Sequence, residues 1–163
     1  MEQRKDKEKT LSAGALLFVA CWTAYCASYL GRINYTAALT AIVADGVFSK
    51  PHAGFIGTVY FFCYGAGQIF SGILGDRVSP YKMIGAGLAG TVCANIIMPL
   101  CSSSYITMSI IWGLNGIVQS MLWTPVLYII ATVLPEEQRS RACLHIASSF
   151  PIGSLLSYVI SAA

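Results

Sequence analysis

Charged residues are scarce in this chain: Asp, Glu, Lys and Arg together make up 10% of its 163 residues. Soluble domains carry about 25% charged residues, so an ordinary soluble domain is excluded. The chain is instead 56% hydrophobic. Its only basic cluster is the mixed-sign start MEQRKDKEK, which is typical of a solvated flank and argues against a nucleic-acid partner. The composition predicts an integral membrane protein surrounded by a lipid bilayer.

Cysteine pairs and catalytic motifs are also missing. None of the six cysteines forms a CxxC pair, and four lie deep in apolar runs. We interpret them as packing residues rather than metal ligands or disulfide partners. The sequence contains no nucleophile–base pair, no metal-ligand spacing and no glycine-rich loop that cradles phosphate. We therefore expect no enzyme activity, no catalytic residue, no metal site and no cofactor.

Five apolar stretches are long enough to cross a bilayer, which takes about 20 residues of helix. Breaks rich in Gly, Ser, Pro and charge separate them. The predicted fold is all-α: five transmembrane helices, preceded by a cytoplasmic N-terminal segment at residues 1–11. A partial transmembrane domain is predicted at 12–163, with helices at about 12–43, 53–75, 82–101, 105–133 and 141–163.

The basic residues orient these helices. The N-terminal segment is rich in Lys and Arg, the second connection holds Arg77 and Lys82, and the fourth holds Arg139 and Arg141. The first and third connections together hold only Lys50. Because cytoplasmic loops carry the excess of Lys and Arg, we place the N-terminus and the two basic connections in the cytoplasm.

One charge lies inside an apolar run. Arg32 is deep in a stretch that begins at Leu11 and contains no other charge before Asp45. An ionised side chain at such depth faces a cavity, a partner or a substrate. A guanidinium grips phosphate or carboxylate in a fork of donors, so we predict a small anionic substrate. No Asp or Glu lies within a predicted span, because the acidic residues are in the N-terminal segment, at helix ends or in connections. This favours anion exchange over a carboxylate proton relay.

Polar and aromatic residues recur three or four positions apart on four of the predicted helices, which places them on one face of each. The third helix has only Thr91 and Asn95. We expect helices one, two, four and five to surround an aqueous path, with the third outside it. The alternative is that these residues make ordinary contacts between membrane helices. The predicted substrate-binding set is Arg32, Tyr25, Tyr29, Tyr64, Gln68, Asn115, Gln119 and Trp123.

The second connection resembles a known loop. Its sequence GILGDRVSPYK (72–82) is similar to the cytoplasmic loop motif of the major facilitator superfamily. The resemblance implies that this loop braces one conformation of the helix bundle. The residues that fall on the motif are Gly72, Asp76, Arg77 and Lys82.

Three longer segments narrow the resemblance. YLGRINY (29–35), YGAGQIFSGILGDR (64–77) and WGLNGIVQSMLWTP (112–125) resemble the organophosphate:phosphate antiporters of that superfamily, the group of the glycerol-3-phosphate and hexose-phosphate carriers. The resemblance covers nearly the whole chain. It implies transport of a phosphate ester in exchange for phosphate, by alternating access in the full-length protein.

The resemblance also implies roles for single residues. In that family an arginine on the first helix binds the phosphoryl group, and Arg32 falls on its position. Three residues match tyrosines near that family's site: Tyr25, Tyr29 and Tyr64. This chain has Ile33 and Gln68 where the glycerol-phosphate carrier has lysines. That difference leaves open a less charged anion, such as a carboxylate or a phosphodiester.

Members of this superfamily are built from two six-helix halves. The resemblance therefore implies that this chain is an incomplete N-terminal half, and that its partners are the sixth helix and the C-terminal half of the same transporter. We expect it in a bacterial inner (plasma) membrane. Two alternatives remain: a transporter-like membrane sensor of a sugar phosphate, and a non-functional truncated membrane fragment.

Overall fold

The structure is a computed structural model that describes the backbone of residues 2–162 and the side chains of residues 13–161. The side chains of the expected cytoplasmic segment at residues 1–11 lie outside that range. Throughout the described backbone the regular structure is helical. The helices are α1 (Glu2–Ala44), α2 (Lys50–Gly75), α3 (Pro80–Ile97), α4 (Tyr105–Val133), α5 (Glu136–Ile146) and α6 (Ser149–Ala162), with a 3₁₀ turn at Met98–Cys101 after α3.

Five segments among the described residues are long and apolar enough to span a membrane. α5 and α6 together form the fifth, so six helices give five spans. The predicted all-α fold with five transmembrane helices is confirmed. The spans are Ala13–Ala44, Lys50–Gly75, Pro80–Cys101, Tyr105–Val133 and Glu136–Ser161.

The fifth span differs in detail from the single helix expected over 141–163. Its helix begins at Glu136 and is interrupted at residues 147–148 before α6 starts. The Ser148 and Ser149 hydroxyls donate to the carbonyls of His145 and Ile146, at 2.6 and 2.5 Å, and such local bonds compete with helix continuation. Restarting the helix at Ser149 also places Pro151 in a first turn, where its missing N–H is tolerated.

Proline and serine start three of the helices. Ser49 and Ser79 precede α2 and α3 with extended backbone, and a proline occupies the first or second position of each helix, where the fixed φ angle suits the first turn. The Ser104 hydroxyl accepts a hydrogen bond from the Thr107 backbone at 3.5 Å and caps α4. These serine and proline residues therefore determine where the second, third and fourth spans begin.

α4 is the packing centre of the bundle, because α2 and α3 both lie along it. Glycines allow this close approach: a Cβ added at Gly116 would lie 2.5 Å from the Tyr60 carbonyl oxygen. α6 packs along α1 in the same way, since a Cβ at Gly153 would lie 2.6 Å from the Cys26 carbonyl. α1 and the fifth span are further joined by the Trp22 indole, which donates to the Ser148 hydroxyl at 3.0 Å.

Candidate functional site

Arg32 lies on α1, partly buried, and faces α2. Its Nε donates a hydrogen bond to the Tyr60 hydroxyl at 2.6 Å. The guanidinium carbon lies 4.1 Å from the ring centre of Tyr64 and 5.5 Å from that of Tyr29, which is within range for cation–π attraction. The charge is therefore surrounded by phenol rings from α1 and α2.

The Tyr60 hydroxyl continues the hydrogen-bond chain to α4. It donates to Gln119 Oε1 at 3.2 Å, and Gln119 Nε2 donates to the Ser28 backbone carbonyl at 3.0 Å. Gln119 is 2% exposed and Tyr60 is 2% exposed, so this relay is shielded from water. The chain of bonds runs from α1 through α2 and α4 and returns to α1, which holds Arg32 in one orientation.

Aromatic rings extend the site along α1. The Tyr29 hydroxyl donates to the Tyr25 hydroxyl at 3.4 Å, and the Tyr25 and Trp123 ring centres are 5.0 Å apart. On the other side, the Tyr60 ring lies 5.7 Å from that of Trp112. Both Tyr25 and Tyr29 are buried, so their hydroxyls lie in a protein interior rather than at a membrane surface.

The structure does not bring every predicted site residue to Arg32. Trp123 contacts Tyr25 instead, and Asn115 uses its amide to donate to the Gly31 backbone carbonyl at 3.0 Å. Gln68 is partly buried one turn beyond Tyr64 on α2. Arg32, Tyr29, Tyr64 and Gln119 are thus joined directly or through Tyr60, whereas the other members of the set lie around them.

The residues of the predicted loop motif lie together at the junction of α2 and α3. The backbone N–H groups of Arg77 and Val78 donate to the Leu74 carbonyl at 3.0 and 2.9 Å, which closes the turn. Gly72 and Asp76 line a small cavity of about 60 Å³ against α4. Four motif residues are exposed: Gly72, Asp76, Arg77 and Lys82.

Three residues near the site were not in the predicted set. Tyr60, which hydrogen-bonds to Arg32 directly, precedes Tyr64 by one helical turn. This spacing places the two tyrosines on the same face of α2 and could have identified Tyr60 from sequence. Asn34 and Asn95 hydrogen-bond to each other between α1 and α3. α3, which we expect to lie outside the aqueous path, contacts α1 through Asn95, whose amide donates to the Gly31 carbonyl at 3.0 Å.

A cavity of about 540 Å³ lies away from Arg32, toward the C-terminal end of α1. Its walls are mainly apolar, with Asn34 and Asn95 among the lining residues. Within the described residues, no group of three His, Cys, Asp or Glu side chains is placed to hold a metal ion. The residues that line this cavity are uncharged, whereas the site around Arg32 carries a positive charge.

The sequence model of the Major Facilitator Superfamily matches residues 21–163. The chain belongs to this superfamily. Because the superfamily consists of membrane transporters, the chain is a transporter-family protein and not an enzyme.

Curated relatives narrow the comparison within the superfamily. A probable hexose phosphate transport protein from Chlamydia pneumoniae is 28% identical over 145 residues, 89% of this chain and 32% of the relative. The membrane sensor protein UhpC of Escherichia coli is 31% identical over 103 residues, 63% of the chain and 23% of the relative. The glycerol-3-phosphate transporter of Bacillus subtilis is 30% identical over 112 residues, 67% of the chain and 25% of the relative.

The predicted resemblance to the hexose-phosphate and glycerol-3-phosphate carriers is confirmed by these relatives. The chain spans a third or less of the length of each of them. No solved structure matches it with statistical significance.

Proposed function

We propose that this chain forms part of a transporter that carries a small organic anion, a phosphate ester, in exchange for phosphate by alternating access. The observation that carries the proposal is the way Arg32 is held. Its hydrogen bond to Tyr60 comes from Nε, and its face lies on the Tyr64 ring. Among the residues whose side chains are described, the hydrogen bond from the guanidinium uses Nε. The two terminal nitrogens can then form the fork that recognises a phosphoryl group.

The charge balance of the site supports an anion as ligand. Tyr60 and Gln119, the side chains in the relay that starts at Arg32, are neutral. The acidic residues of the sequence lie in the N-terminal segment, at the ends of the spans or in connections. A cation in a membrane is stabilised by a counter-ion or by water, and an anionic substrate would supply that counter-ion.

The relatives support phosphate esters as the substrate class. They include a probable hexose phosphate transport protein and a glycerol-3-phosphate transporter. Ile33 and Gln68 are uncharged, so Arg32 supplies the positive charge on this part of α1 and α2. We infer that the remaining helices of the whole transporter supply further positive charge, and that the N-terminus lies in the cytoplasm of a bacterial inner membrane.

Exchange transport in liposomes tests this function. The protein is expressed from its complete reading frame, and counterflow is measured with phosphate and a panel of phosphate esters. Arg32→Lys is expected to slow exchange at least about tenfold, since it removes the fork while keeping the charge. Arg141→Lys, at an exposed position on α5, is the matched control and should exchange like the parent. Equal exchange by Arg32→Lys and the parent would overturn the role of Arg32.

A second candidate function is sensing, because the membrane sensor protein UhpC is among the relatives. A sensor would keep the same binding residues but not move the ligand across the membrane. The two functions separate when binding and counterflow are measured on the same preparation. Arg32-dependent binding of a phosphate ester without counterflow would favour the sensor, and Arg32-dependent counterflow would favour the transporter.

A further inference from the structure

The backbone carbonyl of Gly31, the residue before Arg32, accepts two hydrogen bonds from side chains of other helices. Asn95 Nδ2 on α3 and Asn115 Nδ2 on α4 each donate to it at 3.0 Å. Two amides from two helices thus meet on one carbonyl of α1. Arg32, whose guanidinium is the charged group of the candidate site, is the next residue along α1.

The close approach of α1 and α3 at this point requires glycine. A Cβ added at Gly31 would overlap the Thr91 methyl group and lie 3.0 Å from Asn95 Nδ2. Asn95 is itself held from two sides: its amide also donates to the Thr91 carbonyl at 2.8 Å, and its Oδ1 accepts from Asn34. The amide that contacts Gly31 is therefore fixed in its own orientation.

Stability alone does not explain the asparagine at position 115. Asn115 is fully buried, and its Oδ1 lacks a hydrogen-bond partner among the described residues. The Thr91 hydroxyl, also buried, is in the same situation within that part of the chain. A buried acceptor without a donor lowers stability. An apolar residue at position 115 would avoid that loss, so the hydrogen bond to Gly31 is the feature that distinguishes asparagine there.

We propose that Asn95 and Asn115 are positioning residues that fix α1 at Gly31 and thereby aim Arg32 at the anion. This inference rests on the proposed function, because it concerns the affinity of the same site. Gln119 holds α1 three residues earlier, through the Ser28 carbonyl. Together the three amides prevent α1 from rotating about its axis, and such a rotation would draw Arg32 Nε away from the Tyr60 hydroxyl.

The test measures affinity and stability separately. Asn115→Leu and Asn95→Leu are made in the protein expressed from its complete reading frame and reconstituted in lipid nanodiscs. The dissociation constants for inorganic phosphate and glycerol 3-phosphate are measured by calorimetry, and unfolding is measured without ligand. We expect each substitution to weaken binding about fivefold, because each removes one hydrogen bond to the Gly31 carbonyl. The unfolding temperature of Asn115→Leu should stay equal or rise, whereas that of Asn95→Leu should fall, since Asn95 also bonds to Thr91 and Asn34.

Matched controls lie next to each residue. Leu114→Met and Cys93→Ser change exposed neighbours on α4 and α3 and should bind both anions like the parent. Asn115→Ala removes the same donor with less volume and gives a second measurement if the leucine variant does not fold. A lower unfolding temperature with an unchanged dissociation constant would assign these residues a structural role and overturn the proposal.

A double-mutant cycle links the effect to Arg32. Tyr60→Phe removes the hydrogen bond that holds Arg32 Nε, so the orientation of α1 should then have less influence on anion affinity. In that background Asn115→Leu should weaken binding by clearly less than fivefold. Fully additive effects would contradict positioning. Arg32→Gln separates this inference from the proposed function: if it binds the anions like the parent, the proposed function fails. If it alone loses binding while both asparagine variants bind like the parent, only the inference fails.

Discussion

The two sides of α1 near its middle use polar groups in opposite ways. On one side, Arg32 contacts α2 through Nε and the ring of Tyr64, so much of its donor capacity is left for a ligand. On the other side, Asn34, Asn95 and Asn115 form hydrogen bonds that end on protein groups. The first arrangement suits binding, and the second suits holding helices in place.

The difference shows why a polar residue in a membrane helix is not evidence for a binding site by itself. Amides between helices complete the hydrogen bonds of the protein, as is common in membrane bundles. A charge that is only partly satisfied by the protein needs an external partner. Both arrangements occur within four residues of α1, at positions 31–34. Three substitutions test whether one arrangement controls anion affinity and the other controls stability.

Tyr60→Phe should have the largest effect on anion affinity. The phenol oxygen accepts from Arg32 Nε and donates to Gln119, and hydrogen bonds to charged groups contribute about 1.5–3 kcal/mol. We expect the dissociation constant for glycerol 3-phosphate to rise about tenfold or more. Phe62→Leu, at an exposed position two residues further along α2, is the control for calorimetry. Unchanged affinity in Tyr60→Phe would show that Arg32 is positioned without the relay.

Gly31→Ala should mainly lower stability, because it disturbs the side of α1 that packs against α3. The added methyl overlaps the Thr91 side chain, and overpacking typically costs about 1–3 kcal/mol. Thermal unfolding in detergent should show a lower midpoint, partly restored by Thr91→Ser, which removes the overlapping methyl. Gly65→Ala, where no atom lies within 4 Å of the added Cβ, is the control. A stable Gly31→Ala protein would mean that α1 and α3 separate easily.

Tyr64→Leu should have the smallest effect of the three. It removes the ring that lies 4.1 Å from the guanidinium carbon, and cation–π contacts contribute about 0.5–2 kcal/mol. Affinity for glycerol 3-phosphate should fall a few-fold, whereas Tyr64→Phe, which keeps the ring face, should bind like the parent. If the phenylalanine variant were as weak as the leucine variant, the hydroxyl rather than the ring would be the important group.

Much of the fold was predictable from sequence because hydrophobic length and charge determine membrane spans. The five spans follow from apolar runs separated by Gly, Pro and charged residues. The interruption of the fifth span was not foreseen, because Ser148 and Ser149 look compatible with a continuous apolar helix. Their hydroxyl bonds to the preceding turn become visible only in the structure.

The candidate site was predictable to a lesser degree. Arg32 is conspicuous as a charge in an apolar run. Helical spacing places Tyr29 on the same face of α1 as Arg32, and Tyr64 on the polar face of α2. Spacing along one helix does not determine which neighbour a residue meets, so the direct contact with Tyr60 was missed. Asn95 was underestimated for the same reason: two polar residues on an apolar helix give a weak pattern, although one of them reaches α1.

The tilted packing of the Trp112 ring against that of Tyr60 also has an optical consequence. The indole lies next to the phenol that holds Arg32, so an anion bound at the guanidinium changes the charge close to an intrinsic fluorophore. The protein thereby carries its own reporter, and occupancy of the arginine can be followed as a change in tryptophan emission without attaching a dye.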